Sequence, residues 1–190
     1  MNLPQDKNTE LNIKLFDLLL LQFGGSEGEL TMAIAYLTQA TTDDNAMRKA
    51  ALVRIAREKI KHADTLGSIL LHLTQGRTGP LSTSMSRTEL RTLLTAKGLK
   101  NNNMERASES LDAFLAAETS PSGERHYASD PRVYLAANIA TEEKQIAAYG
   151  RIAHLTTDSD FVSALNYAKS RQIQHRDEFL DLLRRANSPH

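Results

Sequence analysis

The chain contains no cysteine and no tryptophan among its 190 residues. Without cysteine there are no disulfides, no thiolate metal ligands and no thiol catalysis. That fits a reducing compartment, and a cytoplasmic location is expected. Aromatic residues make up only 5% of the chain, too few for the stacking platforms that single-stranded nucleic acid needs. Neither sign of charge is in excess, because 23 Lys and Arg stand against 23 Asp and Glu. No electrostatic footprint for nucleic acid or an anionic membrane follows from that balance. Long apolar runs are missing too. Leu18-Leu19-Leu20-Leu21 is flanked by Asp17 and Gln22, far short of a bilayer span. MNLPQDKNTE lacks a basic start followed by an apolar stretch, so neither a signal peptide nor a membrane span is expected.

What remains is an ordinary globular composition, 41% hydrophobic and 24% charged, of a length that suits one domain with a real core. Helical periodicity covers 10–41, 45–74, 131–155 and 159–186. Asp130-Pro131 offers an N-cap followed by proline at the first helical position. Asp158 or Asp160 is expected to cap the last helix, and Asp43 or Asp44 the second. Short turns around TTDDN and TTDSD make two antiparallel hairpins, 10–74 and 131–186. Between them lies a long crossover, 75–130, with a capping box at Ser86-Arg87-Thr88-Glu89 and a weak helix over 104–118. The expected architecture is all-α: a single ferritin-like four-helix bundle made of two hairpins joined by one long connection.

The core stripes carry an anomaly. In steps of three and four the second helix reads Leu52, Ile55, Lys59, His62, Leu66, Ile69 and Leu73. The fourth reads Phe161, Leu165, Ala168, Gln172, His175, Phe179 and Leu182. Each apolar seam is interrupted by two polar residues one turn apart. The third helix gives Leu135, Ile139, Glu142, Ile146, Tyr149 and Ala153; the first gives Leu15, Leu18, Gln22, Ser26, Glu29, Ala33, Tyr36 and Ala40. Glu29 precedes His62 by 33 residues, and Glu142 precedes His175 by 33. Tyr36 and Tyr149 each lie seven residues after their glutamate, and Lys59 and Gln172 each lie three before their histidine. Packed with pseudo-twofold symmetry, the hairpins would bring these groups into one central layer. Ferritin-like bundles build dimetal sites from inward-facing Glu and His, and such ligands suit manganese or iron. Glu29, His62, Glu142 and His175 are therefore the candidate metal ligands. Gly24-Gly25 and Gly28 fall inside the first predicted helix, where they cost helix stability.

These segments resemble the manganese catalase family, especially its short spore-coat-type branch. LLLLQFGGSEGELTMAIAYLTQA is similar to that family's first ligand helix, with Glu29 at the ligand position. IAREKIKHADTLGSIL resembles its second helix, ANIATEEKQIAAYGRIAHLTTD its third with Glu142, and AKSRQIQHRDEFLDLL its fourth with His175. The resemblance implies a dimanganese site that disproportionates hydrogen peroxide. There Glu29 and Glu142 act in catalysis and Tyr36 and Tyr149 lie beside them. A homo-oligomer is also expected. The family's site holds three glutamates and two histidines, and its second helix reads Glu-Glu-x-x-His. Here the pair is Glu58-Lys59, so a lysine takes the place of the bridging carboxylate. Gln172 departs less, because the family's fourth helix need not supply a carboxylate there.

Three outcomes follow from the lysine. Lys59 can lie between Glu29 and Glu142 as an ammonium, leaving a metal-free relative with a degenerate site. It can be displaced, with manganese or iron held by the remaining ligands and by Glu58, which stands four residues before His62. Or it can be neutral or carbamylated into an anionic bridge. Apolar Leu90, Leu93, Leu94, Phe114 and Leu115 of the crossover could form a subunit interface or cover the bundle.

Overall fold

The computed structural model describes residues 7–75 and 126–188, with side chains over 14–73 and 126–188. The expectations for 76–125, including the capping box at Ser86 and the helix over 104–118, lie outside the described residues. The elements among them are all helices: α1 (Lys7–Gly24), α2 (Glu29–Thr42), α3 (Ala46–Gln75), α4 (Pro131–Ala153) and α5 (Ser159–Asn187). α2 packs on α3 and α4 on α5 as two antiparallel hairpins, while α1 touches α3 and α4. With α1 and α2 as two halves of one broken helix, this is a ferritin-like four-helix bundle. No helix among the described residues is long and apolar enough to cross a membrane.

The caps follow the sequence with one change. Asp130 accepts from the Arg132 amide and Pro131 opens α4. Asp158, not Asp160, caps α5 by accepting from the Asp160 and Phe161 amides. For α3 the cap is neither Asp43 nor Asp44. Asn45 Oδ1 accepts from the Met47 and Arg48 amides, both at 3.0 Å. Asp43 is used elsewhere. Its side chain is buried and accepts from the Asn45 amide at 2.7 Å, from Arg48 Nε at 2.8 Å and from the Tyr134 hydroxyl. Tyr134 belongs to the other hairpin, so this cluster ties the two together. Burial raises the Asp43 carboxyl, but Arg48, Tyr134 and the Asn45 amide outweigh that and hold it below its ordinary 3.8. A depressed carboxyl contributes stability above its unfolded pKa and loses it as pH falls. Asp43→Asn is expected to cost about 1–3 kcal/mol at neutral pH. In urea melts from pH 6 to 3, the gap between variant and parent should narrow below about pH 4.

The first helix is not continuous. Residues 25–28 form a tight turn in which the Gly25 amide donates to Leu21 O at 2.8 Å and the Gly28 amide to Gly25 O at 2.9 Å. A Cβ on Gly25 would lie 2.5 Å from Leu21 O, and one on Gly28 would lie 2.7 Å from Gly25 N. Both contacts are with backbone, so a side chain at either position collides. The break corrects the stripe: Ser26 is exposed, whereas Glu29 begins α2 fully buried.

The core is divided by a polar layer. One apolar cluster holds Leu15, Leu19, Leu66, Ile69, Phe161 and Leu165 among others. The second includes Met32, Leu52, Ile55, Leu135, Phe179 and Leu182. On α3 the residues between the clusters are Lys59 and His62; on α5 they are Gln172 and His175. Every member of the α5 stripe from Phe161 to Leu182 is buried.

Candidate functional site

Seven polar side chains from four helices meet in this layer. Glu29, Lys59, Glu142, Gln172 and His175 are 0% exposed, Gln145 2% and His62 4%. Burying charge at this depth is costly unless each group is paired and hydrogen-bonded, and the layer meets that condition around one nitrogen. Lys59 Nζ donates to Glu142 Oε2 at 2.9 Å and to the amide oxygens of Gln145 and Gln172. Glu29 Oε2 lies 3.5 Å from the same nitrogen.

The amides set the arrangement around the lysine. Gln145 Nε2 donates to the Glu27 carbonyl at 2.6 Å, and Gln172 Nε2 donates to Glu29 Oε1 at 2.6 Å. Each amide nitrogen is committed to an oxygen, so each amide oxygen must face Lys59. Three acceptors around one amine leave nothing to donate to a lone pair. The geometry is that of an ammonium with all three protons used. Glu29 Oε2 is therefore left without a hydrogen bond, held by charge alone.

The carboxylates are completed across the bundle. Tyr36 donates to Glu142 Oε1 at 2.6 Å, and Tyr149 donates to Glu29 Oε1 at 2.5 Å. Each tyrosine thus serves the glutamate of the other hairpin. Burial pushes both phenols well above their usual range, and the facing carboxylates push them further, so they remain protonated donors. Burial also raises the Glu142 carboxyl. Lys59, His175 and Tyr36 outweigh that and hold it below the ordinary value. His62 Nδ1 lies 3.2 Å from Gln172 Nε2 and 3.6 Å from Glu29 Oε1. The His62 and His175 rings stack at 6.0 Å.

Residues 5–189 match the model of the family described as manganese containing catalase. The chain belongs to the manganese catalase family. It is 25% identical over 173 residues to Protein CotJC of Bacillus subtilis (strain 168), covering 91% of this chain and 85% of that protein. A crystal structure of KatB, a manganese catalase from Anabaena PCC7120, is similar with a TM-score of 0.58 at 24% identity. That match covers 95% of this chain and 77% of the other, and it is a likeness of fold.

Within this manganese catalase family chain, Glu58 stands at the edge of the layer with its side chain 19% exposed. Arg171 donates to its Oε2 from Nε at 2.9 Å and from Nη2 at 2.6 Å, and Arg54 Nη1 donates to its Oε1 at 2.9 Å. His175 Nε2 donates to the same Oε2 at 2.9 Å. Burial raises this carboxyl, but His175 and Arg171 together take it down to about 2. Its partner is thus His175 and not His62, the residue one turn along its own helix. Glu58 and Arg171 sit 113 residues apart, the same offset as Lys59 and Gln172. The two hairpins place an acid and a guanidinium at equivalent positions, and the pair closes on itself.

Sequence reasoning missed Gln145, the third acceptor of Lys59. It follows Glu142 by three residues and falls off the apolar seam. It also missed a second buried network. Asn138 and Gln39 exchange bonds at 2.7 and 3.0 Å, His126 Nδ1 lies 2.9 Å from Asn138 Oδ1, and His126 Nε2 lies 3.2 Å from Thr141 Oγ1. Burial lowers the His126 pKa, so its ring stays neutral in this network.

Proposed function

We propose that this member of the manganese catalase family is metal-free and non-catalytic, its dimetal centre replaced by a salt bridge centred on Lys59. The bundle then serves as a structural or interaction module of a cytoplasmic homo-oligomer. The observation that carries the reading is the set of three oxygen acceptors closed around Lys59 Nζ.

Four arguments support it. The donor set does not suit a pair of divalent ions, because a cation stands where the bridging anion would. The Glu29 and Glu142 oxygens Oε1 are already taken by Tyr149, Gln172 and Tyr36. Glu58 is a poor substitute ligand, because Arg54, Arg171 and His175 consume its oxygens. A carbamate on Lys59 would set new anionic oxygens against the Gln145 and Gln172 oxygens, which their own nitrogens hold in place.

The test is metal content together with oxygen evolution from hydrogen peroxide, on protein from cells grown with added manganese and iron. We expect well under one ion per chain and no oxygen release above buffer. Two ions per chain with chelator-sensitive oxygen release would instead establish an active dimanganese or diiron peroxide enzyme built on Glu29, His62, Glu142 and His175.

A further inference from the structure

The break between α1 and α2 borders a cleft that none of the seven layer side chains lines. Its volume is about 260 Å³, and it lies between α1, the turn and α4. That is below the usual range for drug-sized ligands, so an occupant has only a few heavy atoms. Leu18, Leu21 and Ile152 supply apolar lining. Leu21 is 57% exposed.

The polar groups at the cleft are donors in need of an acceptor. Gln22 lines it and is 7% exposed, yet its Nε2 has no hydrogen-bond partner. A buried amide donor without a partner costs on the order of 1–3 kcal/mol. Arg151 also lines it and pairs with no carboxylate among the described residues. Ser26, on the turn, lines it as well. The one acid at the rim, Glu27, is held by Lys144 at 2.5 Å, so Arg151 leaves the cleft with a net positive charge.

We propose that this cleft binds a small carboxylate with a short apolar tail, its oxygens on Arg151 and Gln22 and its tail against Leu18 and Leu21. A guanidinium beside a neutral amide suits a singly charged, planar acceptor. The apolar lining gives a tailed carboxylate an advantage over a bare inorganic anion.

The experiment uses the full chain, with butyrate as the probe and butanol and inorganic phosphate as controls, followed by amide NMR. We expect saturable shifts of the Gln22 side-chain amide and the 25–27 backbone amides, with a roughly millimolar Kd for so few atoms. Butanol and phosphate should bind more weakly. Arg151→Gln, at an exposed position, should weaken butyrate binding about tenfold with the fold intact. Gln22→Leu gives a second variant with the same expected direction. Absence of saturable shifts, equal binding by phosphate, or unchanged binding in Arg151→Gln would overturn the proposal. None of these outcomes depends on whether the central layer holds metal.

Discussion

Exchanging Lys59 for methionine is expected to lower the unfolding free energy by about 3–5 kcal/mol, the usual cost of removing one partner of a buried ion pair. Methionine fills much of the lysine volume, so the loss is electrostatic more than steric. Glu29 and Glu142 would face each other with no cation, and the Gln145 and Gln172 oxygens would lose their donor. Urea unfolding followed by circular dichroism gives the number. Adding Glu29→Gln and Glu142→Gln to Lys59→Met should recover most of the loss, because the uncompensated charges disappear. A Lys59→Met variant within about 1 kcal/mol of the parent would mean that the ammonium is not their counter-ion.

The second large effect is a gain. Lys59→Glu should take the chain from well under one manganese ion to nearly two. With Lys59 the two glutamates and the ammonium sum to one negative charge; with glutamate they sum to three, against four positive charges on two divalent ions. One close contact between unit charges is worth about 4 kcal/mol at an effective dielectric near 20. Each divalent ion therefore loses about 8 kcal/mol of attraction and meets about 8 of repulsion when lysine replaces glutamate. A swing of order 16 kcal/mol per ion before relaxation disfavours a metal pair beside a charged lysine. Metal analysis of the purified variant reads the outcome. A folded Lys59→Glu chain that takes up no metal would show that the remaining ligands no longer form a site.

The parts of this molecule that were legible in the sequence are those with a helical period. The α5 stripe from Phe161 to Leu182 is buried residue for residue, because a seam of apolar side chains has one way to face a core. The matched spacings of Glu29, His62, Glu142 and His175 were legible for the same reason, and all four are buried in one layer. Polar groups whose burial depends on a partner were not. Gln145 is buried because Lys59 and the Glu27 carbonyl satisfy it. On its own helix it resembles solvated surface, and the equivalent position in the first hairpin is the apolar Met32. Asp43 looked like a helix cap because caps are local, but its tie to Tyr134 on the other hairpin is not. The break at Gly25 and Gly28 left the stripe register nearly unchanged on either side. Only the glycines marked it, and what they permit is a close backbone approach that has no periodic signature.

The most direct measurement is a crystal structure of the unmodified chain from manganese-supplemented cells, with anomalous data collected above the manganese edge. The expected map has Lys59 Nζ within hydrogen-bonding distance of Glu142, Gln145 and Gln172 and no anomalous peak in the layer. Anomalous peaks between Glu29 and Glu142, with Lys59 turned away from them, would contradict the account.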